Sequence, residues 1–201
     1  MGKLHQTALI LGEGPTEFYY FMSLRDVFKN LSIKPDFPKH TNLAELEAKI
    51  KEGIDLGYNH IFCVIDMDTK DQEPEHSQYQ MLKKKYANPI KKPKKGIDCK
   101  VEFFETHRCT ELFFLYYFRY TSRPYDNQEL LLKDLNQCVE YRKTKDFFSK
   151  SKGLHRYFEQ NNGSLANAIA NAERSMTEKQ RDGREYTYSE LGRLINLLKE
   201  L

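Results

Sequence analysis

Apolar residues in this chain form short continuous runs and longer stripes of helical period, and the two alternate through roughly the first 120 residues. Thr7–Leu11 is a continuous run closed by Gly12-Glu13-Gly14-Pro15. Runs bounded by glycine fit strands buried on both faces, as in parallel sheets. Thr16 then opens a helical pattern in which Phe18, Phe21, Met22, Leu24 and Phe28 share a face. Thr16 is its expected cap, and Glu17 suits its positive end. A weak strand is expected near Leu31–Ile33, before a turn at Pro35–Pro38. Asn42 reads as an N-cap with Glu45 three residues on, Leu43, Leu46, Ile50 and Ile54 carry the stripe, and Gly57 stops it. The clearest strand, Ile61–Ile65, ends directly in Asp66-Met67-Asp68. Beyond it we expect a helix around Ser77–Tyr86, a Lys/Pro-rich loop over Asn88–Gly96, a strand over Lys100–Glu105 and a helix over Thr110–Tyr120.

Strands alternating with helices at short intervals predict βαβ units and an α/β fold with a mainly parallel sheet flanked by helices. From about Asp126 the pattern is helical only. Leu130, Leu131, Leu135 and Val139 form one stripe, and Leu165, Ile169 and Ala172 form a second after the Asn161–Gly163 turn. Leu191, Leu194, Ile195 and Leu198 form a third, with Ser189 as its expected cap. The expected organisation is an α/β core over residues 1–125 and a helical extension over residues 126–201, packed on that core. The rings of Phe113, Phe114, Tyr116, Tyr117, Phe118 and Tyr120 cover nearly every face of their helix, which favours core packing over a base-stacking platform.

Composition changes this picture little. With 39% hydrophobic and 30% charged residues the chain is an ordinary globular one. The stretch Ala8–Leu11 is too short for a signal peptide's apolar region, and no run has the length of a membrane span. A soluble, cytoplasmic protein without a membrane partner is expected. Cys63, Cys99, Cys109 and Cys138 contain no CxxC pair and no zinc spacing, so they read as free thiols. The net charge of +3 is too mild to mark a nucleic-acid binder by itself, so the distribution of charge matters more. Lys83, Lys84, Lys85, Lys91, Lys92, Lys94 and Lys95 fall within thirteen residues that hold no acid. Such a segment is either a solvated surface loop or a path for a phosphodiester backbone, and the second reading predicts salt-sensitive binding of nucleic acid or nucleotide.

Ligands of parallel sheets sit beyond the carboxyl ends of the strands. Glu13 and Asp66 each follow a strand, and Asp68 follows Asp66 by two residues. Carboxylate oxygens are natural ligands for hard Mg²⁺, which binds through one or two of them together with water and phosphate. Mn²⁺ is the expected substitute. The plainer alternatives are helix-capping loop acids for Asp66 and Asp68 and a solvated turn residue for Glu13. The glycine turn around Glu13, which feeds a helix N-terminus, favours the phosphate reading.

At these residues the chain resembles a known family. Gly12-Glu13-Gly14-Pro15-Thr16-Glu17-Phe18-Tyr19-Tyr20-Phe21, then Val64-Ile65-Asp66-Met67-Asp68, is similar to the RloB family. Cys109-Thr110-Glu111-Leu112-Phe113-Phe114-Leu115 is similar to that family's Cys-Phe-Glu-Leu-Trp-Leu-Leu segment, and the likeness extends into Tyr141–Lys143 and Ala168–Ala172. The chain departs from the family at Thr106-His107-Arg108, where Ser-Asn-Pro is usual, and at Phe113 in place of Trp. His107 and Arg108 thereby become candidate phosphate contacts. The resemblance implies a Toprim-like fold, a link to restriction and phage defence, and an ATPase partner. It implies Glu13 as general acid/base or ligand to a second metal, Asp66 and Asp68 as Mg²⁺ ligands, and Glu111 as completing the metal or orienting shell. The plainer alternative for Glu111 is an acid in a helix's first turn, favoured by the macrodipole. The expected activity is that of a metal-dependent nuclease or phosphodiesterase. An enzyme for a small nucleotide signal and a non-catalytic binding module are the alternatives.

Overall fold

Strand β1 (Thr7–Leu11) is buried at every position from Ala8 to Leu11, which is why its sequence lacks polar alternation. The computed structural model describes residues 6–28, 32–37, 42–150 and 153–201, with backbone alone for 32, 33, 149 and 150. The chain divides into two compact units, one of residues 1–64, 69–103 and 201 and the other of residues 65–68 and 104–200.

In the first unit β1 runs parallel to both β2 (Ser32–Asp36) and β3 (His60–Asp66), with Ile10 opposite Pro35 on one side and Phe62 on the other. With β4 (Ile90–Lys92) and β5 (Ile97–His107), the strand order is β2-β1-β3-β5-β4. The weak strand expected near Leu31–Ile33 is β2, shifted towards the proline; Leu31 and Pro38 lie outside the described residues. Pro35 is tolerated because β2 is an edge strand. The expected lysine-rich loop is instead a hairpin in which β4 pairs antiparallel with β5. Pro93 opens a single 3-10 turn, Pro93–Lys95, so it does not interrupt the ladder, and Gly96 at φ +66 turns the chain back.

Helix α1 (Pro15–Leu24) buries Thr16, Glu17, Tyr20, Phe21 and Leu24, so its inner face is rotated from the one expected. Phe18 to Met22 is an unbroken apolar and aromatic run, which fixes no unique face by period alone. Helix α2 (Leu43–Asp55) starts as expected, with Asn42 Oδ1 accepting the Glu45 N–H at 2.8 Å, and Gly57 follows it at φ +82. Helix α3 spans Glu75–Lys85.

The second unit holds α4 (Glu111–Tyr116), α5 (Gln128–Asn136), α6 (Lys145–Lys150), α7 (Leu154–Gln160), α8 (Leu165–Asp182) and α9 (Leu191–Glu200). Its strand β6 (Tyr188–Ser189) pairs antiparallel with the end of β5, Thr106 opposite Ser189. Ser189 Oγ still serves α9, accepting the Leu191 N–H at 3.3 Å. Phe113, Phe114, Tyr116 and Tyr117 are fully buried, as core packing predicts. Lys100 N–H donates to Asn59 O at 2.9 Å and Met67 N–H to Thr106 O at 3.0 Å. Residue numbers therefore rise together along β3 and β5, and the two strands run parallel. The fold is α/β, a mostly parallel sheet flanked by helices, the last of them C-terminal. Among the described residues no helix is long and apolar enough to cross a membrane.

The C-terminal half of α8 is fixed by one carboxylate. Glu178 accepts from the Tyr120 hydroxyl, from Arg174 Nε at 2.9 Å and from Arg184 at 3.0 Å. The Tyr120 hydroxyl first, then the two guanidiniums, hold its carboxyl down to about 2. An unfolded glutamate titrates near 4.3, so this stabilisation is present above that pH and is lost as pH falls towards 2. Between pH 5 and 2.5 the wild type should lose about 1–3 kcal/mol more stability than Glu178→Gln. Urea midpoints of the two proteins across that range check this, and parallel curves would refute it.

Candidate functional site

In the first unit, Gly12-Glu13-Gly14 carries the chain from β1 into α1, with Pro15 at the first helical position. Glu17, only 4% exposed, reaches back so that the Gly14 N–H donates to its Oε2 at 2.9 Å. A Cβ on Gly12 would lie 2.2 Å from Glu17 Cβ, so glycine is what lets this acid fold over the turn. Glu13 faces a cation from the loop after β3: Lys70 Nζ lies 2.8 Å from its Oε1, with side chains 9% and 18% exposed. Lys70 has no periodic signature in the sequence. Its one signal is its position two residues beyond Asp68.

In the second unit, Asp66 closes β3 and is half-buried. Its Oδ1 accepts both the Thr110 N–H at 2.9 Å and the Thr110 hydroxyl at 3.0 Å. Met67 points inward, its N–H bonded to Thr106, while Asp68 is exposed. Glu111 is fully buried, in the first turn of α4. Its Oε1 accepts from the Tyr141 hydroxyl at 3.1 Å and pairs with Lys143 Nζ at 3.2 Å, and its Oε2 accepts from Gln128 Nε2 at 3.1 Å. Buried polar groups need such partners, and here three side chains supply them.

Cys109 lies between these acids. Burial first, then the charges of Glu111 and Asp66, pushes its thiol well above the ordinary range. It is therefore a neutral thiol at physiological pH and not an activated nucleophile. The segment Cys109-Thr110-Glu111 thus brings Asp66 and Glu111 into one neighbourhood of the second unit. Glu13 belongs to the first unit. Thr110, Gln128 and Lys143 are the partners that periodicity did not single out, since polar contacts across a fold leave no repeat in the sequence.

His107 is buried, its Nδ1 accepting the Thr187 N–H at 3.3 Å and its ring stacked on Tyr188. Arg108 Nε donates to Tyr125 O at 3.0 Å. Both are engaged within the protein. In the basic segment Lys85 pairs with Glu47, Lys91 with Asp98 and Lys92 with Asp55, while Lys83 lies over the Tyr79 ring. Lys84, Lys94 and Lys95 are exposed and have no acidic partner among the described residues.

Among the described residues no group of three or more His, Cys, Asp or Glu side chains is arranged to hold a metal ion. Mg²⁺ does not require such a cage, because it typically keeps waters and uses one or two carboxylates with phosphate. Asp66 and Asp68 fit that hard-oxygen donor set. The Thr110 donors on Asp66 Oδ1 orient the carboxylate as an outer-shell partner would. A separate cavity of about 430 Å³ in the second unit is lined by Glu173, Met176, Glu190, Arg193 and Asn196. None of the residues expected to form the site lines it, and Glu190–Arg193 and Glu173–Asn196 pair with each other there.

No curated protein and no solved structure matches the chain. The family model of the RloB-like proteins matches residues 8–198, nearly the whole length. The acidic strand end, its threonine clamp and the buried Glu111 are therefore features of a chain that belongs to the RloB-like family.

Proposed function

We propose that the protein is a divalent-metal-dependent phosphodiesterase that cleaves nucleic acid, in keeping with a role in prokaryotic defence. The observation that carries this reading is Asp66 at the end of β3, fixed by two Thr110 hydrogen bonds and followed by exposed Asp68. Asp66 and Asp68 would hold Mg²⁺ or Mn²⁺, which when bound supplies Lewis acidity at a phosphoryl oxygen. Thr110 keeps Asp66 in one orientation, so the carboxylate need not reorganise when it is used. Glu13 belongs to the same reading, as a proton-handling group or as a ligand to a second ion. Lys84, Lys94 and Lys95 offer exposed charge to a phosphate backbone.

The test is cleavage of labelled DNA, RNA and mononucleotides with Mg²⁺ or Mn²⁺, with and without EDTA, by wild type and Asp66→Asn. The asparagine keeps an oxygen for the Thr110 donors and removes the charge, so the fold is retained. Turnover should fall by more than about a hundredfold, beyond the loss typical of an outer-shell partner. Lys84→Gln/Lys94→Gln/Lys95→Gln should weaken oligonucleotide binding and flatten its logarithmic salt slope by about 2–3. Turnover of mononucleotides alone would shift the substrate to a small nucleotide signal. Inactivity without metal binding would leave a non-catalytic binding module.

A further inference from the structure

We propose that Lys70 is a tethered cation that occupies Glu13, so that Glu13 is not a metal ligand and the protein binds a single divalent ion, at Asp66 and Asp68. The inference rests on the reading of those two aspartates given above. It deepens that reading by excluding the second-metal role for Glu13.

The pair itself carries the argument. Lys70 Nζ stands 2.8 Å from Glu13 Oε1 with both side chains largely withdrawn from water. Lysine is rarely buried unless paired, and Lys70 and Arg184 are the buried Lys or Arg residues among those described. Removing a buried ammonium's counter-charge is costly, so this contact holds both partners. A divalent ion on the same carboxylate would stand close to that ammonium in a poorly screened setting, and like charges repel strongly there. The second reason comes from the backbone. Glu13 lies immediately before Gly14, the N-cap of α1, and that helix's N-terminal end carries positive partial charge that favours an anion and disfavours a cation. The Gly14 N–H at that end is already taken by Glu17. Ammonium and helix end together neutralise Glu13 without a metal. Lys70 thus supplies the positive charge at Glu13 as a fixed side chain.

The test counts ions, with Mn²⁺ alone as the probe, by calorimetry and by loss of the free-ion paramagnetic resonance signal. Wild type, Glu13→Gln, Lys70→Met, Lys70→Met/Glu13→Gln and Asp66→Asn are compared. We expect a single site in the wild type, lost in Asp66→Asn and unchanged within about twofold in Glu13→Gln. Lys70→Met should add a second binding event or tighten binding by about tenfold or more, and the double variant should lose that gain. Lys70→Arg, which keeps the ion pair, should behave as wild type and serves if Lys70→Met does not fold. Two ions on the wild type, or loss of an ion in Glu13→Gln, would overturn the inference while leaving the aspartate reading intact. Absence of binding in both wild type and Asp66→Asn would sink the aspartate reading. Lys70→Met then still decides the core of the inference: an ion that appears there and vanishes in the double variant upholds Lys70 as the block, and none overturns it.

Discussion

Phe158→Ala should lower the stability of the protein by about 3–5 kcal/mol, the range for removing a large aromatic side chain from a packed core. Phe158 is fully buried in α7 and is the meeting point of four rings. Phe114 lies at 5.1 Å, Tyr117 at 5.2 Å, Phe118 at 5.9 Å and Tyr157 at 6.0 Å between centroids. These are tilted and edge-on arrangements, in which aromatic pairs add to plain area burial. Truncation leaves a cavity walled by stiff rings that collapse poorly into it. The measurement is urea unfolding, with a lower midpoint at unchanged slope. A loss under about 1 kcal/mol would mean that the rings repack around the gap. The effect also bears on the candidate site, because Phe114 sits in the helix that begins with Glu111 and its ring lies 5.8 Å from that of Tyr141. A looser α7 therefore loosens, through Phe114, the Tyr141 side chain, one of the groups that surround the buried acid.

Glu111→Ala should cost about 2–4 kcal/mol, less than the roughly 3–5 kcal/mol of breaking a fully buried pair. The reduction has a geometric reason: Lys143 is 43% exposed and can return its ammonium to water. The buried Tyr141 hydroxyl cannot, and the Gln128 amide is only partly open to solvent. Glu111→Gln keeps the shape and an acceptor for Tyr141 but removes the charge opposite Lys143, so its stability loss should be smaller. The two variants separate the roles open to Glu111. If it only holds α4 and its neighbours, Glu111→Gln should keep metal-dependent turnover within about threefold of wild type, near half a kcal/mol of barrier. If it acts in the shell around Asp66, turnover should fall by about tenfold or more while the urea midpoint moves little. Measuring both quantities on the same preparations decides between them.

Several elements were legible because their signals are local. The buried runs that became β1 and β3 lack polar alternation, and Asn42, Glu45 and Gly57 bracket α2 with side-chain and backbone chemistry that acts within a few residues. The strand ends at Leu11 and Asp66 made the acids that follow or close them conspicuous. The order of motifs along the chain was enough to point to the family that the match over residues 8–198 establishes. The short elements were less legible. β4 was hidden behind two prolines and four lysines, and β6 is two residues long, so each exists because β5 offers a partner edge.

What the sequence by itself determined was therefore the α/β alternation, the buried strands, the family, and the identity of the acids worth testing. What only the tertiary structure decided was the company those acids keep. Lys70 stands on Glu13, Thr110 clamps Asp66, and Tyr141, Gln128 and Lys143 surround Glu111, with contacts that reach 17 to 44 residues along the chain in the last two cases. Hydrophobic burial repeats with the period of a helix or strand and so leaves a trace in one dimension. A hydrogen bond or ion pair between distant side chains has no period. It comes into being only when the fold has closed, and the chemistry of each carboxylate is set at that step.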